Sequence, residues 1–311
     1  MDVRRMVAEL VESQMSDRVV KWLFCQASTG LVFGVVLGDG TGVVIKTLPS
    51  WMDRRSLHQT RVMQSVMIER GFPAPEPLSQ VLRCGRGHAL IDEMLLPRHT
   101  KIGSRRETRE ALAFGLYEFA TAIADQRMPK AKRLKVVEAD TPWVLYEGQS
   151  TPFRLQDERR WLANLAWAAR ERMSEDPRRM LVHTDWRIEN VLVSSGRIVA
   201  IYDWDSLSYV SEISIVGQAA MFHPIHWRTR HRVATPAGFA SFVDMYEQAR
   251  GGRFSQDERD SIAGWGVYRL CELARHYQHA DPRGRSSARD GVRSVAKTIG
   301  EEYFAAIGRR V

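Results

Sequence analysis

Three short apolar runs with polar breaks between them constrain one stretch of this 311-residue chain more tightly than any other feature. Leu181-Val182 ends at His183 and reads as a buried strand feeding a loop. Val191-Leu192-Val193 and Ile198-Val199-Ala200-Ile201 are separated by Ser194-Ser195-Gly196-Arg197, the pattern of a β-hairpin with a glycine-containing turn. Folding the hairpin about Gly196-Arg197 returns Asp203 to roughly the level of Asn190, within a residue or two. The loop before the hairpin delivers Asp185 to the same end. An acid, an amide and two further acids, Asp203 and Asp205, are thereby gathered as hard oxygen donors of the kind a divalent cation accepts. His-x-Asp-x4-Asn alone would arise by chance in roughly one chain in a hundred of this length. The hairpin and the Asp-Trp-Asp that follows make accident a poor account of the whole set.

Phosphoryl transfer asks for this chemistry: a carboxylate beside the attacking hydroxyl, and oxygen ligands for magnesium on nucleotide phosphates. At His183-Thr184-Asp185-Trp186-Arg187-Ile188-Glu189-Asn190 and Asp203-Trp204-Asp205 the chain resembles the aminoglycoside phosphotransferase and choline kinase family, small-molecule kinases related to protein kinases. The resemblance implies an α+β, two-lobed protein-kinase-like fold. A small sheet-rich lobe would span residues 1–96 and a larger, mainly helical lobe 97–311, with ATP or GTP and Mg2+ in the cleft between them. It further implies Asp185 as the catalytic aspartate, His183 as the residue that holds its loop, and Asn190 and Asp203 as metal ligands. Asp205 matches a second acid that serves the second metal or the substrate. Asp203-Trp204-Asp205 stands where protein kinases have Asp-Phe-Gly, and no Ala-Pro-Glu follows, which favours a small-molecule hydroxyl acceptor over a protein.

The resemblance continues upstream. Leu31 to Leu37, Gly38-Asp39-Gly40-Thr41-Gly42 and Val43-Val44-Ile45-Lys46 read as strand, tight turn, strand. Alternation puts Val44 and Lys46 on one face and Val43 and Ile45 on the other. In the family, Lys46 corresponds to the nucleotide-phosphate lysine and Val44 to the aliphatic roof over the adenine, while Gln26-Ala27-Ser28-Thr29-Gly30 lies where a phosphate-covering loop belongs. A helix from about Arg54 to Arg70 follows, stopped by Gly71 and by Pro73 and Pro75 beyond it. Relatives place a glutamate on this helix to pair with the lysine; here the matching region reads His58-Gln59-Thr60, and Gln59 can hydrogen-bond Lys46 but not neutralise it. Ala89 to Pro97 resembles the strand and hinge between lobes, with backbone groups near Glu93 and Leu95 facing the adenine edge. Asp92 occupies a position more often apolar.

Hydrophobic residues at 44% and charged residues at 26% are ordinary for a globular protein. No apolar run reaches the roughly eighteen residues a membrane helix needs, and charges interrupt the N-terminal apolar residues, so no secretory signal is expected. Cys25, Cys84 and Cys271 have no paired spacing and read as thiols of a reducing, cytoplasmic compartment. The net charge of +8 raises nucleic acid as a rival partner. The basic residues are mostly dispersed, however; Trp227 to Arg232 is one local cluster, without any nucleic-acid-binding signature. A catalytically silent nucleotide-binding scaffold is the other alternative. Dense acidic runs, which would suit a polycationic acceptor, are absent.

Helical periodicity is expected over Glu107 to Ala124, about 157–173, Ile213 to Phe222, Pro236 to Arg250, a capping box at Ser255 opening a helix to about His276, and a last helix from Ser287 to Ile307. Between the first two, Asp125 to Thr151 is polar and carries Lys130, Lys132, Arg133 and Lys135; it reads either as an insertion near the substrate cleft or as a loop with a short strand at Val136-Val137. Trp186, Trp204 and Tyr209 flank the acids and either touch substrate or pack the loops. Neither His223 with His226 nor Cys271 with His276 and His279 makes up the four ligands of a structural zinc site.

Overall fold

Alternation along residues 31–48 becomes the centre of an antiparallel sheet. In the computed structural model the described residues are 2–27, 29–95, 105–129, 132–135, 143, 145–146, 160–174, 178–225, 233–280 and 287–308. The chain packs as two compact units, one of residues 1–100, 126–130 and 199–205, the other of 101–125, 131–198 and 206–311.

In the first unit, α1 (Val3–Met15) precedes β1 (Val19–Ala27), β2 (Leu31–Leu37) and β3 (Gly42–Leu48); α2 (Arg54–Glu69) is followed by β4 (Leu82–Cys84) and β5 (Gly87–Glu93). The sheet order is β1-β2-β3-β5-β4, so β3 is central. Val43 and Ile45 are fully buried against Phe33, Val35, Ala89, Ile91 and the Val7 and Val11 of α1. The opposite face of β3 carries Val44 and Lys46, as the alternation requires, because partners across a ladder share a face: Val44 pairs with Asp92 and Lys46 with Leu90. Asp53 caps α2 by accepting the Ser56 N–H (2.9 Å), and the helix ends before Gly71 at φ 85°. The sequence reading did not anticipate β1, and it placed Gln26-Ala27 in a loop. The strand is almost wholly exposed and its register shifts twice along β2, so no period-2 pattern marks it.

In the second unit, α3 (Arg105–Ala122), α4 (Arg160–Arg170), α5 (Glu212–Phe222), α6 (Pro236–Arg250) and α7 (Gln256–Ala280) form the helical core, with α8 (Ser287–Ile299) and α9 (Glu302–Gly308) after it. A small sheet of order β7-β6-β11-β8 accompanies them, built from β6 (Lys132–Lys135), β7 (Leu145–Tyr146), β8 (Arg179–His183) and β11 (Leu207–Ser211). Between β8 and β11 in sequence, β9 (Val191–Ser194) and β10 (Arg197–Ile201) form the expected hairpin, turning through Ser195 (φ 50°) and Gly196 (φ 71°). The contact between α5 and α7 needs two glycines: a Cβ on Gly217 would lie 2.4 Å from the Ile262 carbonyl oxygen, and one on Gly266 3.0 Å from the Gly217 carbonyl oxygen. The capping box is present, with the Glu258 N–H donating to Ser255 Oγ and the Ser255 N–H to Glu258 (2.8 Å). The single last helix expected from Ser287 to Ile307 is instead two, broken at Gly300-Glu301. Val136-Val137, the Trp227 to Arg232 cluster, Lys130, His226 and most of 125–151 lie outside the described residues, as does the His279 side chain. No helix of the described residues is long and apolar enough to cross a membrane.

His223 supplies a pH-dependent element of this core. It is buried just beyond α5, stacked on Phe242 (5.2 Å), and its Nδ1 bonds the Ala220 carbonyl (3.0 Å). Burial pushes its imidazole down to about 3. The folded protein therefore keeps His223 neutral where the unfolded chain, with an ordinary value of about 6.5, takes up a proton. Stability contributed here is present above about pH 6.5 and is lost as pH falls toward 3, by up to about 1.4 kcal/mol per pH unit. In urea denaturation between pH 7 and 4.5, His223→Gln is expected to flatten that decline; an unchanged slope refutes the assignment.

Candidate active site

Lys46 projects from the centre of β3, and the segment after β10 brings two acids to it. Its ammonium forms ion pairs with both Asp203 and Asp205, and its side chain is only 12% exposed. Burial alone would lower the Lys46 pKa; the charges of Asp203 and Asp205 more than offset that and hold it above its ordinary value. Burial and the neighbouring Asp203 charge push the Asp205 carboxyl above the usual carboxylate range, with Lys46 opposing. The segment is fixed from several sides. The Ile201 N–H donates to the Pro73 carbonyl (2.8 Å), the Tyr202 hydroxyl to the Leu95 carbonyl (3.3 Å), and Trp204 Nε1 to the Ile201 carbonyl (2.9 Å). Asp203 itself has φ 61°, a left-handed backbone that a non-glycine residue adopts at a cost of about 1–3 kcal/mol.

The remaining N-terminal candidates sit around Lys46 unequally. Val44 is half-buried on the same face. Gly30 lies against the next residue of β3: a Cβ there would come within 1.8 Å of the Thr47 carbonyl oxygen, while Thr47 Oγ1 accepts the Leu31 N–H (3.0 Å). Only glycine permits that approach. Glu93 is exposed, and its backbone N–H is committed to the Glu76 carbonyl (2.9 Å). The Leu95 carbonyl accepts Tyr202. Leu96 and Pro97 lie outside the described residues.

The loop between β8 and β9 forms a second cluster. Asn190 Nδ2 donates to Asp185 Oδ2 (2.7 Å) and to its carbonyl oxygen (3.1 Å). Arg187 lies in ion-pair contact with Asp185 (3.1 Å) and Glu189 (3.3 Å). The Thr184 N–H donates to the Ser206 carbonyl (3.0 Å) and the Ile188 N–H to the His223 carbonyl (3.0 Å), which clamps the loop on both sides of Asp185. His183 is fully buried, edge-on to Phe119 and to Trp186. Trp186 is 1% exposed and its Nε1 donates to the Leu112 carbonyl (2.8 Å); Trp204 is 5% exposed. Of the two readings for these tryptophans, packing is the correct one.

Sequence reasoning missed Arg187, and it missed the partners of Asp92. Arg61 and Gln64, three residues apart on the buried stripe of α2, both bond Asp92 Oδ1. Two polar residues at apolar positions of a helix were the available signal. Neither cluster forms a closed metal cage: among the described residues no three or more His, Cys, Asp or Glu side chains come together. Two carboxylates converging on one cationic atom fit Mg2+ all the same, because Mg2+ usually takes one or two carboxylates and draws its other oxygens from water and phosphate.

A family profile described as the phosphotransferase enzyme family matches residues 33–213. Solved structures with the same fold include amicoumacin kinase hAmiN in complex with AMP-PNP, Ca2+ and Ami, at TM-score 0.66 and 11% identity, covering 97% of this chain and 94% of that one. Spectinomycin phosphotransferase APH(9)-Ia with ADP and spectinomycin aligns at TM-score 0.62 and 13% identity, covering 98% of each chain. An aminoglycoside phosphotransferase from Alicyclobacillus acidocaldarius aligns at 0.56 and 12%, covering 95% and 94%. No curated protein matches the sequence. At these identities the structural likeness is one of fold.

Proposed function

The chain belongs to the phosphotransferase enzyme family as a small-molecule phosphotransferase, and we propose that it moves the γ-phosphate of ATP, carried with Mg2+, onto a hydroxyl group. The observation that carries this reading is the convergence of Asp203 and Asp205 on Lys46. Such an arrangement pairs a phosphate-binding cation with carboxylates suited to a metal, and it lies on the face of β3 that also presents Val44. Residues 1–96 serve as the nucleotide lobe and 97–311 as the acceptor lobe. Bound Mg2+ neutralises charge on the transferring phosphates. Lys46 would bind phosphate oxygens, and Asp203 and Asp205 are the carboxylates that would hold the metal. The amide NH2 of Asn190 is committed to Asp185, so its side-chain carbonyl oxygen is the atom it would offer to a metal. Asp185, its rotamer held by Asn190 and Arg187, accepts the hydrogen bond of the acceptor hydroxyl and takes its proton late, because the transition state is loose. His183 sets the loop from within the core. Three free thiols suit a reducing cytoplasm.

Thermal unfolding with ATP and with GTP, each with and without Mg2+, tests the nucleotide site. Mg·ATP at a hundredfold over its Kd should stabilise the wild type by about 2.7 kcal/mol. Asp203→Ala should lose the magnesium-dependent part. No shift with either nucleotide, or an equal shift in the variant, refutes the reading; a response to GTP alone reassigns the donor.

A further inference from the structure

The face of the sheet that carries Lys46 holds one more acid, and α2 treats it in an unexpected way. Asp92 stands opposite Val44 on β5, two positions from Leu90, the direct partner of Lys46. Diagonal neighbours of this kind lie about 7–8 Å apart at the backbone, within reach of a lysine side chain. Asp92 is largely enclosed. Burial pushes its carboxyl above the usual range, while Arg61, Gln64 and Lys46 all pull it down. Arg61 is 3% exposed and Gln64 2%. Arg61 pairs with Asp92 through Nη1 and donates from Nη2 to the Ile91 carbonyl (2.8 Å); Gln64 Nε2 donates to Asp92 (3.2 Å) and to the Pro75 carbonyl (2.7 Å). The Arg61 and Gln64 contacts with the carboxylate all fall on Oδ1. Among the described residues, Oδ2 has no hydrogen-bond donor from the protein.

We propose that Asp92 is a positioning residue for Lys46: the sheet acid fixes the lysine, and Arg61 and Gln64 of α2 offset the cost of burying that acid. The inference rests on the nucleotide reading above. When Asp203 and Asp205 turn to a metal, Lys46 loses the two charges that hold it here. Asp92 is the acid left beside it on that face of β3 and β5, with Oδ2 free to receive Nζ. The absence of an acid at His58-Gln59-Thr60 is then a relocation of the charge, since α2 now grips the acid instead of bearing it.

Two single variants break the same ion pair and so separate positioning from fold support. Asp92→Asn should weaken Mg·ATP binding, read by calorimetry, and raise the KM for ATP about tenfold, as expected when a phosphate-binding group is misplaced. Arg61→Met leaves the acid beside Lys46 and should keep Mg·ATP affinity within about threefold, even if its melting temperature falls further. The double variant Arg61→Met/Asp92→Asn should recover melting temperature relative to Asp92→Asn, because no charge remains buried without a partner. Its affinity should remain low, and Asp92→Glu should restore most of it. Equal losses in the two single variants, or wild-type affinity in the double variant, would make the pair purely structural and overturn the proposal. A wild type that binds no Mg·ATP overturns the nucleotide reading itself, and the proposal with it.

Discussion

Asp185→Asn is expected to abolish measurable phosphate transfer while Mg·ATP still raises the melting temperature as in the wild type. The replaced group is the one carboxylate in its loop held by both an amide and a guanidinium. An asparagine there keeps the shape and the acceptor that Asn190 Nδ2 uses. Arg187 keeps Glu189 as its partner, so the loop has no reason to unfold. What disappears is the capacity to take a proton, which in a positioned general base contributes about 10²–10⁴-fold in kcat. Steady-state turnover on an accepted substrate and nucleotide titration on the same preparation separate the two effects. Turnover at the wild-type rate would remove Asp185 from its role.

Lys46→Met should produce the second large effect, and it should act on the apoprotein as well as on catalysis. Deleting the ammonium leaves Asp203 and Asp205 facing each other in a poorly solvated place. Breaking a buried pair by removing one partner costs about 3–5 kcal/mol. The sign of the pH dependence follows from the pair. Two adjacent carboxylates without the Lys46 ammonium hold a proton in the folded state that the unfolded chain releases, so the variant's deficit relative to the wild type should shrink as pH falls from 8 to 5. Divalent cations should stabilise this variant without nucleotide more than they stabilise the wild type, since the ammonium no longer competes for the acids. Nucleotide affinity should collapse. Thermal unfolding across pH and Mg2+ concentration checks all of this; a variant as stable as the wild type at pH 8, with unchanged ATP affinity, would refute the pairing.

The hairpin of β9 and β10, the alternation of Val43 to Lys46, the stop at Gly71 and the capping box at Ser255 were all legible, because each is written within a few neighbouring residues. The irregular edge strand β1 was not, since an exposed strand with shifted register leaves no periodic trace. The Gly300 break was hidden inside a continuous amphipathic pattern. Trp186 and Trp204 show a different limit: an aromatic next to a candidate site acid reads the same on paper whether it faces a substrate or the core. Only burial and the bonds to Leu112 and Ile201 separate the two.

The sequence by itself determined the α+β class and the family, and it named the residues proposed to carry the chemistry, because spacing along a chain encodes strands, turns and helix faces. Tertiary structure alone decided which charges meet. Lys46 finds Asp203 across 157 residues, and Arg61 finds Asp92 across 31. Coulomb energy and desolvation depend on separation and burial in space, and neither quantity is written in the order of the residues.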